Sequence, residues 1–274
     1  MGLLDKLFNK KNTTAQEVTQ ETYPKNEWEL PLVIKKYRTL LESTMKESCE
    51  ITFTLEETKP WESKLGGCPY LEKIEDYPIE SLKIIEERPM MFLAQINLEE
   101  MPPLQDFPKK GILQFYIEDI DPYGLDEACV VKYIEDYITD ETKLIKENPY
   151  RTGYQEYEPF SKDGKMNFTK RRMPVSSAVE KFEELFSEAT KEERTALYDL
   201  CYASGSRVAG YPYFVQYTQE YYDDGTCDVL LLQLDLDDTC GIMFGDSGNC
   251  TFLISADDLK KRDFSKVEYD WQCC

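Results

Sequence analysis

The sequence predicts an α+β fold in which two mixed or antiparallel sheet units repeat one another, each preceded by a helix. Three observations predict it. Short blocks recur in the same order about 140 residues apart. The apolar residues within those blocks form strand-like runs that end in turn residues or acids. The segments ahead of them carry apolar residues at helical spacing. A chain of 274 residues that is 41% hydrophobic and 13% aromatic can bury a substantial core, so composition allows such a fold.

The N-terminal residues 1–26 read as a separate piece. Leu3, Leu4, Leu7 and Phe8 recur at helical spacing with lysines after them, which makes a short amphipathic helix a candidate for docking on a membrane surface or a partner. An isolated helix this short is marginal, and a frayed end is the plainer reading. The stretch from Thr13 to Asn26 is polar and reads as a linker. The first α+β unit then spans 27–140. Trp28, Leu30, Leu32, Val33, Tyr37, Leu40 and Leu41 predict a helix of about five turns with Pro31 in its first turn. Residues 141–175 read as a polar connection with one short strand. The second unit spans 176–274, opened by a helix or helix pair on which Val179, Phe182, Leu185, Phe186, Leu197, Leu200 and Cys201 share a face.

The blocks that carry the repeat are specific. SKLGGCPY (63–70) lies over SRVAGYPY (206–213), and FLAQINLEE (92–100) over LLLQLDLDD (230–238). GILQFYI (111–117) lies over GNCTFLI (248–254), and ACVVKYIED (128–136) over FSKVEYDWQ (264–272). Four blocks in one order argue for duplication more strongly than any one alone. Strand alternation puts Phe92, Ala94, Ile96 and Leu98 on one face and Gln95 and Asn97 on the other, with Leu230, Leu232, Leu234 and Leu236 opposed to Gln233 and Asp235. A buried glutamine must find partners for both its carbonyl and its amide, so Gln95 and Gln233 are expected to pin the Gly-Pro turn or the following loop of their own unit. The functional alternative is that the two line a cleft between the units.

Composition excludes several chemistries. With Lys+Arg 32 against Asp+Glu 53, the formal charge of -21 repels nucleic acid and anionic lipid. No run is long enough to cross a bilayer. The chain has no histidine, which removes the commonest general base and the usual nucleophile activator. The nine cysteines form no C-x-x-C pair and read as reduced thiols of a cytoplasmic protein. Asp235, Asp237, Asp238 and Asp246 begin like a calcium loop, but Cys240 stands where the loop needs glycine and Asp246 where it needs glutamate. No metal and no cofactor is therefore expected, and no catalytic residue is assigned. Gly245-Asp246-Ser247-Gly248 reads as a tight turn whose aspartate accepts backbone N–H bonds. The tyrosines from Tyr211 to Tyr222 read as a strand with one aromatic face.

Taken together, GGCPY, FLAQINLEEMP, GILQFYI, LLLQLDLDD, MFGDSGNCTFLI and DFSKVEYDWQC resemble the bacterial YwqG family, whose members carry a domain of unknown function. The resemblance implies an intracellular α+β protein and a link, through gene neighbourhood, to toxin and immunity systems. It also marks Gly245 and Asp246 as motif positions. Gln95, Gln233, Asp235, Gly245 and Asp246 are accordingly the candidate ligand- or partner-binding residues. Three classes of function stay open: a non-enzymatic protein that binds another, basic protein as an immunity or stress adaptor, a carboxylate-dependent hydrolase or metal-binding enzyme, and a structural scaffold.

Overall fold

Among the described residues, ten of twelve strands join a single sheet. The computed structural model describes residues 29–80, 88–118, 129–151 and 158–274. The N-terminal segment 1–26 and Trp28, with the readings placed on them, lie outside the described residues. The strands are β1 (Lys46–Thr54), β2 (Lys64–Leu65), β3 (Ile79–Glu80), β4 (Arg88–Pro89), β5 (Met91–Asn97), β6 (Ile112–Ile117), β7 (Cys129–Ile134), β8 (Gly164–Met173), β9 (Arg207–Ala209), β10 (Val229–Leu234), β11 (Asn249–Ile254) and β12 (Glu268–Gln272). β3 and β4 pair only with each other, while the other ten run in the order β12-β11-β10-β9-β1-β8-β2-β5-β6-β7, antiparallel at every pairing.

This order corrects the expectation of two repeated sheet units. The joining elements are β1 and β8, which pair along all nine residues of β1 from Lys46 opposite Met173 to Thr54 opposite Lys165. The segment read as a connection with one short strand thus supplies a central strand of ten residues. Its lysines and arginines hid it, because a strand with one face in water need not look apolar.

The sheet curls into a nearly closed barrel. Phe115 on β6 and Phe252 on β11, each one strand in from opposite edges, have ring centroids 5.0 Å apart. Inward residues from all ten strands build one core, including Ile51, Leu65, Leu93, Phe115, Val131, Met166, Val208, Leu234, Phe252 and Tyr269. At the seam the edge strands meet through side chains: Tyr133 packs on Phe264 at 5.5 Å, Arg262 pairs with Glu135 at 2.6 Å, and the Cys129 thiol faces the Val267 carbonyl at 3.5 Å.

Two loops close the ends. Five antiparallel steps separate β10 from β5, so the two strands point in opposite directions and the loops that follow them cover opposite ends. After β5 the loop inserts Leu98, Met101, Leu104 and Phe107 into the barrel core. After β10 it inserts Cys240, Ile242 and Phe244.

The helices cover the outer wall. A 3₁₀ turn over Leu32–Tyr37 leads directly into α1 (Arg38–Ser43), shorter and less regular than the five-turn helix expected, and Pro31 sits just before the 3₁₀ turn as its N-cap. A pair, α2 (Glu180–Leu185) and α3 (Lys191–Leu200), follows β8, and Thr190 and Glu193 form a capping box on α3. Ile34, Leu41, Phe182, Phe186 and Leu197 pack these elements on Tyr211, Leu230 and Leu253. The tyrosine-rich stretch after β9 is not a strand; it is irregular and ends in the short α4 (Glu220–Asp223). A last helix, α5 (Ala256–Lys261), links β11 to β12. Among the described residues no helix is long and apolar enough to cross a membrane.

Candidate functional site

The two glutamines are fully buried and hydrogen-bonded in matching ways. The Gln95 carbonyl accepts from Tyr70 N at 2.7 Å, and its amide donates to Pro60 O and Glu62 O, both at 2.9 Å. The Gln233 carbonyl accepts from Tyr213 N at 2.8 Å, and its amide donates to Ala203 O and Gly205 O at 3.2 and 2.8 Å. Each pins the tyrosine of its Gly-Pro-containing turn and the loop leading into the preceding strand, so both amides and both carbonyls are engaged within the fold. They do not line one cleft, since four strands separate β5 from β10.

Strand alternation is broken beside both. The register shifts between Phe92 and Ala94 on β5 and between Leu230 and Leu232 on β10. A bulge places two successive residues on one side of a strand. Thus Leu93 and Ala94 both enter the barrel while Phe92 faces an outer cluster, and Leu231 and Leu232 both enter while Leu230 meets the helices.

The aspartates divide into holders and presenters. Asp235 is buried, with one carboxylate oxygen accepting from Gly205 N at 2.5 Å and the other from Leu236 N at 2.8 Å. Asp237 accepts from Cys240 N at 2.9 Å and pairs its backbone with Ile242. Asp238 and Asp246 are exposed. The Gly245-to-Gly248 turn is held by the Phe244–Gly248 backbone pair, and among the described residues the Asp246 carboxylate accepts only the Ser247 hydroxyl at 3.2 Å, which corrects the expectation that it holds the turn. Gly245 is required there: its φ is +57°, and a Cβ would come within 2.7 Å of the Cys273 sulfur. Among the described residues no three acids or thiols gather as a metal site.

The loop from Asp235 to Gly248 therefore has two sides. Asp237 and Ile242 form a bridged pair with Ile242 turned into the core. The next pair outward, Leu236 and Met243, shares the opposite side, where the two are 52% and 48% exposed. Cys274 N donates to Asp246 O at 3.0 Å, so the C-terminus joins the same barrel end. The structure thus brings together Asp235, Gly245 and Asp246 around one loop with Gln233 beneath it, and leaves Gln95 near the other end.

Two buried cations went unremarked in the sequence. Lys64 is 3% exposed in a cleft of about 790 Å³ beside Gly66 and Gly67, and its ammonium donates to the carbonyls of Lys59, Pro60 and Cys68 at 2.6, 3.3 and 3.2 Å. Burial pushes it down to about 8. Arg207, which stands at the same place in the second SKLGGCPY-like block, is 7% exposed. The signal was the shared Ser-cation pair of those blocks. Burial makes the core thiols poor nucleophiles: it pushes Cys240 up to about 11 and Cys201 up to about 12.

A family model described as a domain of unknown function (DUF1963) matches residues 63–273. The chain belongs to this YwqG-like family. The match contains both glutamine strands and the whole aspartate loop but leaves out β1, the strand that joins the two halves of the sheet. No curated protein matches the chain. Family membership agrees with the six motif blocks and assigns no activity.

Proposed function

We propose that this protein is a non-enzymatic binding protein that docks a basic protein partner on the barrel end closed by the loop from Asp235 to Gly248, in the manner of an immunity or stress adaptor. The observation that carries the reading is the exposed pair Leu236 and Met243, side by side on a loop anchored in the core, with the exposed acids Asp238 and Asp246 on the same loop. Apolar centres with charged rims are how protein interfaces are built. The excess of acids, 53 against 32 cations, favours a basic partner and fast encounter with it. Carboxylate catalysis has less support, because Asp235 and Asp237 spend their carboxylates on backbone N–H groups.

The test is a pull-down by the full chain and by a Leu236→Ser, Met243→Ser double variant, at low and high salt. A basic protein held by the wild type, released by salt and lost from the variant is the expected result. Capture of the same protein by a variant that melts like the wild type would remove this surface as the site.

A further inference from the structure

The acidic barrel end has a chemical match within the chain itself. The loop from Asp235 to Gly248 carries four aspartates and no lysine or arginine, and it exposes Leu236, Asp238, Met243 and Asp246. A ligand for such a surface needs apolar side chains with basic ones beside them. The first twelve residues, MGLLDKLFNKKN, have that composition. Leu3, Leu4, Leu7 and Phe8 recur at helical spacing, and Lys6, Lys10 and Lys11 stand against Asp5 alone, in a chain whose formal charge is -21.

The chain between them is long enough for the two to meet. Leu30 is buried in the cluster that also holds Leu230 on β10. Leu236 lies six residues beyond Leu230, at most about 20 Å along the strand direction at about 3.3 Å per residue. The sixteen residues 13–28, which join the basic stretch to this anchored part, reach up to about 53 Å at about 3.3 Å per residue. A tether that can span its sites raises the effective concentration of what it carries, so even a weak match is populated.

We infer that residues 1–12 dock on the acidic barrel end as an internal competitor of the partner. Leu3, Leu4, Leu7 and Phe8 meet Leu236 and Met243, and the lysines turn to Asp238 and Asp246. This control rests on the loop being the docking surface: a partner gains it only by displacing the chain's own segment. Its apparent affinity is therefore reduced to the fraction of molecules whose surface is open.

The methyl NMR spectrum of the methionine-labelled full chain reports on this surface through Met243, whose signal is the one lost in Met243→Ser. A Leu4→Ser, Leu7→Ser variant that melts like the wild type is expected to shift that signal. In the wild type the signal should hold its position over about hundredfold dilution, because the contact is intramolecular. The same variant is expected to capture the basic partner several-fold better than the wild type at low salt. A Met243 signal that the variant leaves unmoved overturns the internal contact, while the docking surface stands if the Leu236→Ser, Met243→Ser chain still loses the partner. A signal that moves although that chain keeps the partner supports the internal contact and removes the surface as the partner's site. A signal that changes on dilution assigns the contact to a second copy. Binding to anionic lipid vesicles by the wild type but not by the Leu4→Ser, Leu7→Ser variant, with Met243 unmoved, assigns the segment to a membrane surface, and either result overturns the internal contact.

Discussion

At the scale of single residues, two aspartates eleven positions apart make opposite predictions. Asp235 is buried and accepts two backbone N–H bonds, so Asp235→Asn removes a charged acceptor and is expected to lower stability by about 1.5–3 kcal/mol. Asp246 is exposed and takes only a neighbouring hydroxyl, so Asp246→Asn should stay within about 0.5 kcal/mol of the wild type. Urea unfolding of the two variants checks both, and equal losses would mean that the turn depends on its carboxylate after all. The role of Gln95 and Gln233 was legible in the sequence, because a buried amide can be satisfied in few ways. Which aspartate holds and which presents was not legible, since both follow from where the loop folds back, and that depends on contacts distant in sequence.

At the scale of elements, the loop after β10 is a stopper with an inner and an outer side. Ile242→Ala opens a cavity beneath it and is expected to cost about 2–5 kcal/mol, whereas the Leu236→Ser, Met243→Ser pair should melt close to the wild type. A thermal melt separates the two; similar losses from both would deny the sidedness. The strands that were legible are those buried on both faces, such as β5, β6, β10 and β11, because their apolar runs stand out. β8 was not, because its outer face is in water and its charged residues resemble a connection. The bulges were invisible too: a register shift is a property of two strands, and the sequence displays them one at a time. The tyrosine stretch after β9 misled in the other direction, since its alternation reflects packing on neighbouring elements instead of a ladder.

At the scale of the whole molecule, burial of thiols sets an alkaline limit. Cys68, Cys227 and Cys240 are pushed up to about 11, Cys49, Cys129 and Cys201 to about 12, and Cys250 well above the ordinary range. Below the ordinary thiol range all are protonated in both states and stability does not depend on them. As pH rises through about 9 the unfolded chain sheds thiol protons that the folded chain retains, so stability falls by up to about 1.4 kcal/mol per pH unit for each thiol that titrates. Lys64 acts the other way, because burial makes the folded chain release its proton from about 8 upward while the unfolded chain keeps it to 10.5. Lys46 and Lys132, also pushed down by burial, act with Lys64, but seven thiols against three lysines give a net loss. Unfolding under reducing conditions should show a midpoint that is flat near neutrality and drops steeply between about pH 9 and pH 11. A midpoint that holds or rises across that range would place these thiols in water.

The central ladder also governs how the chain is made. β1 is complete by Thr54, yet its partner along its full length ends at Met173, and its other neighbour, β9, begins at Arg207. During synthesis at about 5–20 residues per second, β1 must wait several seconds for either partner to leave the ribosome. For that interval its Ile51 and Phe53, and the apolar runs of β5 and β6 behind it, have no finished barrel to enter. The glutamates of β1, Glu47 and Glu50, put charge on both faces of a strand that would otherwise pair with the wrong chain, which gives part of the acidity of this protein a task in the nascent state, before any partner is met.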